Sequence, residues 1–133
     1  ALARAHGIED RCHILQGRDD MPALYSAMDV FVLASHREGL SKSLLEATAM
    51  ARAAVTCDIR GCREIVTDGT TGLLVPMRDS EALAESVLSL LQDDDLRRQI
   101  GVAGRQRIVE KYTESRVAER VMEIYTALVS RRT

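Results

Sequence analysis

Two acidic side chains, Glu38 and Glu46, stand with seven residues between them in the run EGLSKSLLE. An ionised carboxylate only accepts hydrogen bonds, so each can hold hydroxyl groups of a sugar. Gly39 follows the first of them, and without a Cβ its backbone can lie against a ligand. The run then reads as a loop opening into a helix. Unpaired N–H groups and the positive end of the helix dipole favour a diphosphate there. The amides of Gly39, Leu40, Leu44 and Leu45 are the candidates, with Ser41 in the same loop. Other roles stay open for both glutamates. Ser43 and Glu46 fit the spacing of a capping box, which would tie Glu46 to its own helix, and Glu38 alone reads as an exposed loop carboxylate.

The elements around this run must place it. Short apolar stretches alternate with helical periodicities, the pattern of an α/β fold with a parallel sheet covered by helices. Residues 12 to 17 read as a strand ending at Gly17, and 21 to 28 as a short helix with Pro22 in its first turn. The run at 29 to 35 reads as a strand buried on both faces, and its carboxyl end leads straight into HREGLSK. Ligands of open α/β sheets bind beyond the carboxyl ends of strands. A helix is expected at about 43 to 51, strands at 54 to 57 and 73 to 75, and a turn at Gly61 with a short helical piece. Three helices should close the chain. The first opens at Asp79 or Ser80, the second spans about Asp94 to Glu110, and the third starts after Thr113. The stripe from Val117 through Val121, Ile124 and Tyr125 to Leu128 reads as core packing.

Composition narrows the function classes. A length of 133 residues suits one domain, and 46% hydrophobic with 29% charged residues is a globular balance. Eighteen basic against twenty acidic residues give no positive field to gather nucleic acid, and aromatics at 3% supply no stacking platform. Cys12, Cys57 and Cys62 lack zinc-site or disulfide spacing, which points to free thiols and a cytoplasmic setting. No stretch has the apolar length of a membrane helix. The first residue is Ala, so the chain reads as a piece of a longer protein.

SHREGLSKSLLEA, followed by CDIRGCREIVTDGTTGLLVP, resembles the donor-binding half of the family 4 glycosyltransferases. These are retaining enzymes of the two-domain GT-B fold. The resemblance implies that residues 1 to 133 form a single, incomplete nucleotide-sugar-binding domain, a Rossmann-like parallel sheet flanked by helices with three closing helices. By position, Glu38 resembles the residue that binds the transferred hexose, with Gly39 and Leu40 giving amides nearby. Glu46 resembles the one that binds ribose, and Leu45 the one whose amide meets phosphate. Arg18 falls where relatives place residues beside the base. The resemblance further implies a metal-independent reaction with no cofactor, a UDP-linked donor, and a glycan or lipid-linked acceptor on a missing N-terminal domain. It implies peripheral membrane association of the whole enzyme, and that this polypeptide alone transfers no sugar. Ala51 replaces the glycine that usually ends the helix, and Ser41 stands where Pro is common. His36 and Arg63 are lesser candidates, and Glu64 is expected to pin a turn.

Overall fold

A computed structural model describes residues 2–130 of the chain. Three parallel strands in the order β1-β2-β3 form the sheet: β1 (Val30–Leu33), β2 (Ala53–Cys57) and β3 (Leu73–Val75). Helices α1 (Leu2–Ala5) and α2 (Met21–Ala27) precede β1, α3 (Lys42–Ala49) joins β1 to β2, and α4 (Arg60–Ile65) joins β2 to β3. The chain closes with α5 (Ser80–Gln92), α6 (Asp94–Lys111) and α7 (Glu114–Ser130).

The two faces of the sheet carry two cores, because successive strand residues point to opposite sides. Phe31, Leu33, Ala54 and Leu74 pack with Leu44 and Ile65 beneath α3 and α4. Val30, Ala53, Val55 and Val75 pack with Leu90 beneath α5. Helix α6 spans both, with Ile108 in the first core and Ile100 in the second. Asp79 and Asp93 cap α5 and α6 by accepting from the amides of Ala82 and Leu96.

Three sequence expectations fail on non-local grounds. Residues 12 to 16 form no strand, and Ile14 is 85% exposed. An apolar run becomes a strand only where a ladder partner lies alongside, and none does among the described residues. Strand β1 is consequently an edge strand with Val32 exposed, not one buried on both faces. The α7 stripe is not core either: Val117, Val121, Ile124, Tyr125 and Leu128 are all exposed, because the helix meets the body mainly at α6.

Ala51 takes the left-handed conformation expected after α3, at φ 56°. Its amide donates to the Thr48 carbonyl at 2.9 Å and that of Arg52 to Ala47 at 3.0 Å, the paired closure of a Schellman motif. A Cβ is disfavoured in that conformation, so Ala51→Gly should raise the unfolding free energy by about 1 kcal/mol in urea titrations.

Candidate nucleotide-sugar site

The loop that leaves the carboxyl end of β1 at residue 34 enters α3 through Ser41, with Glu38 to Leu40 just before it. Ser41 is buried and extended, and its hydroxyl accepts from the Leu44 amide at 3.4 Å. Its carbonyl accepts from the Leu45 amide at 3.0 Å. Leu44 and Leu45 are therefore already engaged, contrary to the expectation that both offer amides. The first helical turn leaves its earliest N–H groups without intrahelical acceptors, so Lys42 and Ser43 offer them instead. Gly39 and Leu40 lie exposed just before.

Helix α4 clamps this loop. A Cβ built on Gly61 would stand 1.9 Å from the Gly39 carbonyl oxygen and 2.5 Å from that of Glu38. Only a glycine admits such an approach. The far end of α4 is held in turn by α6. Arg107 donates to the Ile65 carbonyl at 2.9 Å, and the Tyr112 hydroxyl donates to Glu64 at 2.8 Å. Glu64 therefore lies within α4 and not in the expected turn, and it takes part through its main-chain carbonyl. Beside the clamp, buried Thr56 donates to the Leu33 carbonyl at 2.9 Å and lies 3.0 Å from Cys62 Sγ. Burial pushes the Cys62 thiol pKa up, and the neighbouring negative charge of Glu38 adds to the shift.

Glu38 is half-buried on this α4 flank. Glu46 lies on the other, towards α2. The capping box that its spacing left open does not form, because the N-cap is Ser41 and Ser43 is already inside the helix. Instead Glu46 Oε2 accepts from the Tyr25 hydroxyl at 3.0 Å, and Oε1 lies 3.6 Å from Lys42 Nζ. Burial first, and then the bond to Glu46 and its charge, push the Tyr25 phenol up to about 12. Residues 39 to 45 thus join Glu38, whose main chain lies against α4, to Glu46, whose carboxylate is bonded from α2.

The remaining candidates scatter around this centre. Arg18 is exposed and forms a two-bond pair with Asp20, whose carboxyl it holds below the ordinary range. Arg63 pairs with Asp58 at 2.8 Å. His36 lines a separate cavity of about 180 Å³ beyond the carboxyl ends of the strands, with Ala34, Cys57, Val75 and Arg78. Sequence reasoning missed Tyr25 and the clamping role of Gly61. The sequence suggests a turn at Gly61, whereas the residue lies in the first turn of α4, where the lack of a Cβ lets the helix meet the loop. Tyr25 had no signal, because a contact across 21 positions is invisible to local pattern.

The sequence matches the profile of the family described as glycosyl transferases group 1 over residues 1–107. The chain belongs to that family. Among relatives of this glycosyl transferase chain, the alpha-maltose-1-phosphate synthase of Mycolicibacterium smegmatis is 46% identical over 77% of the chain and 28% of the synthase. The N,N'-diacetylbacillosaminyl-diphospho-undecaprenol alpha-1,3-N-acetylgalactosaminyltransferase of Campylobacter jejuni is 32% identical, over 88% of the chain and 31% of that enzyme. In structure, the sucrose-phosphate synthase of Thermosynechococcus elongatus aligns with a TM-score of 0.89 at 27% identity, covering 97% of the chain and 33% of the synthase. The chain spans about a third, or less, of each of these proteins.

Proposed function

We propose that this chain is the donor-binding part of a retaining glycosyltransferase that moves a hexose from a nucleoside-diphosphate sugar to a glycan or lipid-linked acceptor. The observation that carries the reading is the α3 entrance, where a backbone loop fixed against Gly61 runs between Glu38 and Glu46. Glu38 orients the hexose hydroxyls and Glu46 accepts from the ribose. The amides of Gly39 and Leu40, with those of Lys42 and Ser43, face the diphosphate at the positive end of α3. Breaking the glycosidic bond puts negative charge on the departing diphosphate, which preorganised N–H donors stabilise at little reorganisation cost. Arg18 would reach the base only by leaving Asp20.

The donor in this reading is UDP-linked and the transfer needs no metal. The relative from Campylobacter acts on a diphospho-undecaprenol compound, which supports a lipid-linked acceptor, a cytoplasmic setting and peripheral contact of the whole enzyme with a membrane. No described helix is long and apolar enough to cross one. The acceptor would be held by protein beyond this domain. Calorimetry of the intact enzyme with UDP, GDP and ADP tests the reading. Saturable binding of one nucleotide, weakened by Glu46→Gln, is expected; heat of binding for none of the three would overturn it.

A further inference from the structure

We infer that Tyr25 is the positioning residue for Glu46, its hydroxyl holding one carboxylate oxygen so that the other is presented to the ribose of the donor. The role of Glu46 as ribose acceptor, proposed above, is its premise. Tyr25 lies on α2, which packs against α3, and only 2% of it is exposed. Its ring meets Phe31 edge-on, with centroids 6.1 Å apart and planes at 69°, so the phenol is fixed by packing on β1. A phenol has one proton to give, and it goes to Glu46 Oε2 at 3.0 Å.

That bond divides the carboxylate. Oε2 is held by the buried phenol, whereas Oε1 has Lys42 Nζ beside it at 3.6 Å, a separation longer than a hydrogen bond. Lys42 is 88% exposed, so its hold on Oε1 is weak and yields to a hydroxyl donor. A glutamate without the phenol would sample several rotamers and fold onto Lys42, and ordering it again would cost binding free energy. Tyr25 thus converts a mobile surface acid into a single oriented acceptor. The benefit reaches only ligands that carry a ribose hydroxyl.

The test compares UDP with 2′,3′-dideoxy-UDP on the intact enzyme by calorimetry, for wild type, Tyr25→Phe and Glu46→Gln, with thermal unfolding as the check on folding. Phe keeps the ring and its packing on Phe31. Tyr25→Phe should weaken UDP by about tenfold and leave the dideoxy nucleotide within about twofold. Equal losses for both nucleotides would mark Tyr25 as core packing alone and overturn the inference, as would no loss for either. The Glu46→Gln arm separates two failures. If it weakens UDP while Tyr25→Phe does not, Glu46 stands as ribose acceptor and only the positioning role falls. If Glu46→Gln leaves UDP binding unchanged, the premise itself fails.

Discussion

Replacing Glu38 by Gln in the intact enzyme should lower kcat by about tenfold or more while the protein remains folded. Gln keeps the volume and one acceptor, but it removes the charge that, in the role proposed for Glu38, strengthens the bonds to the hexose hydroxyls. A hydrogen bond to a charged group is worth about 1.5 to 3 kcal/mol, and each 1.4 kcal/mol is tenfold in rate. The backbone of Glu38 is fixed by α4 and its side chain is half-buried, so the loss should fall on the reacting sugar and not on the fold. Steady-state kinetics would show it as a fall in kcat with a smaller change in KM for the donor. Unchanged kinetics would remove Glu38 from the site.

Gly61→Ala should be costlier to the whole assembly. The added methyl would meet the Gly39 carbonyl oxygen at 1.9 Å, and the neighbour is backbone, which cannot rotate aside. Helix α4 cannot retreat easily either, since Arg107 and Tyr112 hold its far end. The loop must shift by an ångström or more, with an overpacking cost of about 2 to 3 kcal/mol. Donor affinity should fall with it, by about tenfold or more, because the amides and Glu38 move together. Gly39→Ala is the contrasting variant. Nothing lies within 4 Å of a Cβ there, so its stability should hold and only ligand approach should suffer. Equal stability of the two variants in urea unfolding would mean that α4 does not clamp the loop.

These two glycines show what a sequence can and cannot tell. The place of Gly39 is legible, because a glycine between an apolar run and a helical pattern marks the loop from β1 into α3. The partner of Gly61 is not, since it lies 22 positions away along the chain. The strands at 53 to 57 and 73 to 75 were readable, to within a residue, from apolar runs bounded by turn residues, and the start of α5 from Asp79, whose side chain bonds its own helix. Residues 12 to 16 show the opposite case, as their apolar content invites a strand but a ladder depends on what lies beside it. The capping box failed for a subtler reason. Ser41 and Ser43 both suit an N-cap, and the helix begins two residues earlier than the Ser43 spacing suggests. Choosing Ser41 consumes the amides of Leu44 and Leu45, moves the open donors to Lys42 and Ser43, and frees Glu46 to meet Tyr25.

The exposed apolar side of α7 has the same origin. Val117, Val121 and Ile124 keep the spacing of a packing face, yet the face is bare among the described residues. Amphipathic periodicity reports that a helix has an apolar side, and does not report which surface covers it.

The central claim is that the entrance of α3 receives a nucleoside diphosphate between Glu38 and Glu46. Amide NMR of the enzyme titrated with UDP tests it most directly, because each backbone N–H reports its own hydrogen bond. The largest downfield shifts should fall on Lys42 and Ser43, with smaller changes at Gly39 and Leu40 and little at Leu44 and Leu45. Shifts centred on the strand-end cavity around His36 and Arg78, with Lys42 and Ser43 unmoved, would contradict it.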